Sequence, residues 1–317
     1  MSAATDHSPA TSAPAATGGD LRRLALLFAA LAAVTYALVV LGALVRANHA
    51  GLACPDWPLC FGQVVPEIDV RVGFEFGHRV LAGLVSLGFV AGAVGVFRSP
   101  AARARVGAWI AVAAVLLAVQ IVLGGLTVLE LLASWTVTSH LLTGNAFALA
   151  VALIAHRLMQ AARPAQAEHA VPGALRALAS ATGAVLVLQI ALGGLVSSTY
   201  SGLVCPDWPT CDGGVWVPTW SGPIGLQVIH RLNAYLLITL VAASLWLAHA
   251  SGTVGARRML GLALGLGLAQ IAVGVANVWL RLPVEVTGAH SALAAALCLV
   301  LGLTLHDLWL TKPSAGA

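Results

Sequence analysis

Eight long apolar runs, at about residues 24–45, 76–97, 106–128, 136–156, 174–196, 225–248, 258–280 and 288–309, leave this chain few ways to fold. Each supplies the roughly 20 apolar residues that a helix needs to cross a bilayer, and none shows the alternation of a membrane β-barrel. Backbone polar groups in lipid must be satisfied within their own segment, so every run is expected to be one α-helix. The remaining composition agrees: 59% of the 317 residues are hydrophobic and only 9% charged, which excludes a disordered protein, a cytosolic enzyme and a nucleic-acid binder. The formal net charge of +4 therefore reports topology and not a polyanionic partner. The fold class expected is all-α, integral to the membrane.

Basic residues orient the helices. With the N-terminus in the cytoplasm, the inner segments hold Arg22, Arg23, Arg98, Arg103, Arg105, Arg157, Arg163, Arg176, Arg257, Arg258 and Lys312, which is 11 of the 16 Lys and Arg. The positive-inside bias then puts both termini in the cytoplasm of a multi-pass plasma-membrane protein. Residues 1–23, rich in Ala, Ser, Thr, Pro and Gly, are expected to be a disordered cytoplasmic tail, and 311–317 a second tail.

The chain also repeats itself. GLACPDWPLCFG at 51–62 recurs as GLVCPDWPTCDG at 202–213, HRVLA at 78 as HRLNA at 230, and Ser139-His140 as Ala289-His290. Residues 24–160 and 174–310 are thus two four-helix units joined by a cytoplasmic linker at 161–173. Four is even, so both units enter the membrane in the same direction and form tandem bundles.

Four histidines fall in the first turns of the even-numbered helices: His78, His140, His230 and His290. An ionisable group inside a membrane is costly, and its recurrence as one pair per repeat points to a ligand site. Two imidazoles are too few for zinc, but a porphyrin iron needs only two axial ligands, so one bis-histidine haem per bundle fits this pattern. Arg79 and Arg231 follow the first histidine of each pair and could meet a haem propionate, or could simply snorkel to the interface. His156, His249 and His306 lie at cytoplasmic helix ends and read as interfacial; His7, His49 and His169 are tail or loop residues.

Cys54, Cys60, Cys205 and Cys211 form two short-spaced pairs on the outer, oxidising side, which reads as two intraloop disulfides; one zinc held by all four thiolates is the alternative. Cys298, in the last run, reads as packing. The halves differ most before the first ligand. Glu75-Phe76-Gly77 precedes His78, whereas Gln227-Val228-Ile229 precedes His230. A carboxylate one helical turn from a ligand in the first half only suggests that this half performs proton-coupled chemistry, with Glu75 as acid/base; otherwise Glu75 is a solvated loop acid like Glu67.

The joint pattern, from about residue 24 to 310, closely resembles the haem A synthase family. That resemblance implies oxidation of the C8 methyl of haem O to the formyl group of haem A, for terminal oxidase assembly. It implies a haem b ligated by His230 and His290, substrate haem between His78 and His140, Glu75 as an essential acid, and disulfides Cys54–Cys60 and Cys205–Cys211. It also implies an outside electron donor, ferredoxin-like, with haem O synthase and the terminal oxidase as possible partners. A bis-histidine iron has no open position for O2, a tension the sequence leaves standing. A dihaem b-type electron-transfer cytochrome and a haem carrier are the alternative readings; a transporter fits less well with the same-direction halves. Alkaline phosphatase fused after Gly214 is expected to be active and after Ser99 inactive; the opposite pattern would reverse the orientation.

Overall fold

The computed structural model describes residues 18–163 and 171–310. Among these residues the regular structure is eight helices: α1 Gly18–Ala47, α2 Val70–Arg98, α3 Pro100–Leu129, α4 Ser134–Ala161, α5 Gly173–Ser198, α6 Gly222–Ala250, α7 Val254–Trp279 and α8 Val284–Leu310. Their 26 to 30 residues make each about 40 Å long, ample for a hydrocarbon layer of about 30 Å. All eight are long and apolar enough to span a membrane. The expected tail is helical from Gly18 onward, with Asp20 in the first turn where the helix dipole favours it. The rest of that tail, most of the linker, the C-terminal tail, His7, His169 and Lys312 lie outside the described residues.

Local chemistry sets the helix ends. Asp69 caps α2 by accepting the N–H of Val72 at 2.8 Å, and Ser99 alone separates α2 from α3, with Pro100 opening the new helix. The α3–α4 and α7–α8 connections turn through matched left-handed pairs, Leu131-Leu132 and Arg281-Leu282.

In the first unit α1 packs on α2 and α4, and α3 on α2 and α4; in the second α5 packs on α6 and α8, and α7 on α6 and α8. Each unit is a closed ring of four, so α2 faces α4 and α6 faces α8 across the diagonals. The units meet through α1 with α8, α4 with α5 and α4 with α8, the pairing of a pseudo-twofold that passes between α4 and α8. Each ring has its own apolar core, with Phe28, Phe89 and Phe147 in the first and Leu186, Leu237, Leu260 and Leu301 in the second. The edge of Phe89 meets Phe147 at 5.6 Å between centroids.

Two small cores sit apart from these. Cys54 and Cys60 are bonded and packed on Val72 and Phe76 of α2, and Cys205 and Cys211 are bonded and packed on Ile224 and Val228 of α6. Each loop is tied internally by its aspartate. Asp56 accepts the N–H groups of Phe61 and Gly62, both at 2.7 Å, and Asp207 accepts that of Gly213 at 2.8 Å. The bond from Gly62 above all holds the Asp56 carboxyl below its ordinary range. A carboxylate with a depressed pKa stabilises the folded loop above the unfolded pKa and stops doing so as pH falls through the folded one. Hydrogen-exchange protection at Phe61 and Gly62, corrected for intrinsic rates, is therefore expected to fall below about pH 4, and Asp56→Asn to flatten that dependence.

Candidate functional site

The four paired histidines stand on the diagonally opposed helices, α2 with α4 and α6 with α8. His78 and His230 lie in the third turn of α2 and α6, His140 and His290 in the second turn of α4 and α8, slightly deeper than the apolar runs alone suggest because the helices begin earlier. Within each ring the two histidines are in electrostatic reach of one another, His78 with His140 and His230 with His290. The pairs that the repeat links in sequence are thus the pairs that the fold brings together.

Each imidazole lies against a glycine of the preceding helix. A Cβ on Gly42 would stand 3.1 Å from Cε1 of His78, on Gly124 3.1 Å from that of His140, on Gly193 3.3 Å from that of His230, and on Gly274 3.1 Å from that of His290. A side chain at any of these glycines would crowd the ring and force it to shift. Nδ1 of His78, His140 and His290 is buried without a hydrogen-bond partner, an expensive arrangement for a group that exists only to pack.

These observations fit a porphyrin iron. A bare metal ion would want three or four protein ligands, and among the described residues no group of three His, Cys, Asp or Glu could hold one. Two facing imidazoles, each seated on a glycine, supply what remains when four equatorial nitrogens come with the ligand.

The arginines do something the sequence reading did not anticipate. Arg79 donates from Nη1 to the carbonyls of Asp56 and Leu59 at 2.8 and 2.6 Å, and from Nη2 to that of Cys54 at 3.3 Å. Arg231 repeats this, with Nη1 on the carbonyls of Asp207 and Thr210 at 2.7 and 2.8 Å and Nη2 on that of Cys205 at 2.7 Å. Neither guanidinium is a free snorkelling charge. Each pins its disulfide loop over the bundle from the residue next to a paired histidine. Trp57, in the first loop, also lies close over α3, where a Cβ on Gly125 would stand 3.1 Å from its indole.

Glu75 is 6% exposed, so it is no solvated loop acid. It lies inside α2, one turn before His78, and accepts from Nε of Arg79 at 2.9 Å. Its counterpart Gln227, 5% exposed, instead donates to the carbonyl of Gly202 at 3.4 Å. The first ring therefore carries a buried ion pair beside its histidines at a place where the second carries a neutral amide.

Two features were not found from sequence. At the end opposite the loops, His156 pairs with Asp307 at 2.8 Å and His306 meets Arg157 and the ring of Trp109, so these helix-end histidines also tie α4 to α8. His249 is exposed near the end of α6. Arg46 of α1 bonds to Ser197 and stacks over Tyr200, 4.7 Å from its ring centre, joining the two units at the loop end. Cys298 is a free thiol packed against the second core.

A multi-pass helical membrane protein with two matched pairs of intramembrane histidines, each pair beneath a disulfide-closed loop, is the class these features define. Residues 25–73 and 67–302 match the family described as cytochrome oxidase assembly protein, COX15-CtaA, and the chain belongs to that family. Among its relatives, the haem A synthase of Shewanella oneidensis is 27% identical over 91% of this chain and 96% of its own length. That of Symbiobacterium thermophilum is 31% identical over 76% of this chain and 81% of its own, and that of Halalkalibacterium halodurans 29% over 71% and 77%.

The arginine clamp has a measurable consequence. Arg231→Leu removes three charge-assisted bonds and leaves carbonyls unpaired, which is expected to cost about 3 kcal/mol. Thermal unfolding in detergent should show the loss, and an unchanged midpoint would mean that the loop is held by its disulfide alone.

Proposed function

We propose that this protein is a haem A synthase, oxidising the C8 methyl of haem O to the formyl group of haem A. The observation that carries this reading is the asymmetry of two otherwise matched sites: a buried Glu75–Arg79 pair beside His78, and Gln227 beside His230. In this reading His230 and His290 hold a resident haem b, whose chemistry is electron transfer to the neighbouring site. His78 and His140 bind haem O as substrate.

Converting a methyl to a formyl group removes four electrons: in each of two hydroxylations one atom of an O2 enters the C–H bond while the other leaves as water with two protons and two electrons from the external donor, and loss of water from the resulting gem-diol leaves the aldehyde. Glu75 suits the proton movements of these steps. Its carboxylate is buried, stands one turn from a substrate ligand, and is oriented by Arg79 so that it can accept a proton from a hydroxyl and return it to departing water. Arg79 does two jobs at once, fixing Glu75 and holding the Cys54–Cys60 loop, which keeps bulk water from the substrate. The second ring keeps the arginine and the loop but not the acid, as suits a site that only passes electrons. Electrons enter from an external, ferredoxin-like donor on the cytoplasmic side, and haem O synthase and the terminal oxidase are the partners that supply substrate and take product.

The test is direct. Protein purified from cells that also make haem O is expected to yield haem A, or its hydroxylated precursor, with haem B on extraction and mass-detected chromatography. Glu75→Gln should lower haem A formation by about a hundredfold or more while haem B stays bound. Haem O left untouched by the unaltered protein would contradict the reading and favour an electron-transfer cytochrome or a haem carrier.

A further inference from the structure

The two rings also differ along one seam between helices. The first histidine of each pair sets the register of α2 on α6, so Gly83 and Ser86 stand where α6 has Tyr235 and Ile238. The glycines beside His140 and His290 set that of α3 on α7, so Ala114 stands where α7 has Leu264. In the second ring the seam is filled. Ile238 lies so close to α7 that a Cβ on Gly267 would stand 2.5 Å from its Cδ1, and Leu264 packs against the second core. Tyr235, its hydroxyl buried, shares a small cavity beneath the second loop with Cys211, Trp216 and Arg231. In the first ring all three positions are cut back. A Cβ on Gly83 would meet no atom within 4 Å, Ser86 turns its hydroxyl back to the carbonyl of Ala82 at 2.8 Å, and Ala114 is exposed. Leu117, at the place of Gly267, packs into the first core instead. The α2–α3 seam is the loosest of the first ring, and the α6–α7 seam is more closely packed. Gly83 and Ser86 lie about 8 and 12 Å beyond His78 along α2, so the thinned stretch runs from ligand depth to the middle of the helix.

We infer that the α2–α3 seam takes the isoprenoid tail of the substrate haem, and that Tyr235, Ile238 and Leu264 exclude such a tail from the second ring. The inference rests on the proposed haem sites and names what sorts the two haems between them. Haem O differs from haem b in one substituent, a hydroxyethylfarnesyl chain in place of a vinyl group. Both offer the same iron and the same propionates, so the histidines and arginines that the repeat copies cannot tell them apart. A ring for haem O must leave a lane for the chain, whereas a ring for haem b need not. Lipid is as apolar as an isoprenoid, so the open seam adds little attraction of its own. The discrimination lies in the closed seam, where a long chain would meet Tyr235 and Ile238 in packing that cannot absorb it. Gly83, Ser86 and Ala114 are thus specificity residues for the substrate.

Exchanging side chains between the seams tests this by haem content and not by turnover. Full-length protein is purified from cells co-expressing haem O synthase, and its extracted haems are quantified by mass-detected chromatography. The unaltered protein is expected to hold tailed haem, as haem O, its hydroxylated form or haem A, in an amount equal to haem B. Gly83→Tyr with Ser86→Ile should lower the tailed share about tenfold or more, the scale of an overpacked site, with haem B retained. Tyr235→Gly with Ile238→Ser should admit haem O to the second ring and raise tailed haem above haem B. That is a gain which damage to the fold does not produce, so this pair decides if the first fails to assemble. Haem content unchanged in the second pair, and in the first where it assembles, overturns the inference and leaves the proposed function standing, with bilayer lipid alone in the seam. Unaltered protein that takes up only haem B despite abundant haem O overturns the proposed function, and the inference with it.

Discussion

An imidazole can stand inside a membrane bundle only if the neighbouring helix leaves room for the ring and its nitrogens have something to bind. The four histidine–glycine contacts meet the first condition, and everything else in the structure is arranged around them. Odd helices supply the glycine, even helices the ring, and the four-helix closure brings two rings onto one diagonal. Paired rings on opposed helices, each against a small residue, offer nitrogen donors from two sides, which is what a planar iron porphyrin requires.

Above each histidine pair the chain builds a lid. A six-residue disulfide link and an aspartate that gathers loop N–H groups make each loop stiff, and the arginine adjoining the first histidine fastens it down through three carbonyls. The arginine that fastens the lid and the histidine beneath it are therefore joined by one peptide bond. Duplication gave both halves this apparatus, and beside the first histidine of each pair they differ in an acid, Glu75, where the second half has an amide, Gln227.

Much of this was legible in the sequence because rare residues stand out against an apolar background. The eight spans, the four histidines, the paired cysteines and Glu75 are conspicuous for that reason, and the repeat aligned them. What the sequence hid is equally specific. With 33 glycines in the chain, nothing marks Gly42, Gly124, Gly193 and Gly274 as the ones beneath rings. Arg79 and Arg231 act on backbone carbonyls, which every residue has, so their partners leave no trace in composition. Residues 18–23 follow an Ala-, Ser-, Thr- and Pro-rich stretch and open with two glycines, which reads as unstructured, yet they are helical. His156 and Asp307 are ordinary helix-end residues until the twofold packing of α4 on α8 brings them to 2.8 Å.

The central claim is that each bundle holds its own iron through its own two histidines. Low-temperature electron paramagnetic resonance of the oxidised, purified protein measures this most directly. Two low-spin ferric signals are expected, with His140→Ala abolishing one of them and His290→Ala the other. A single signal lost in both variants would mean that one haem is shared between the halves and would contradict the account.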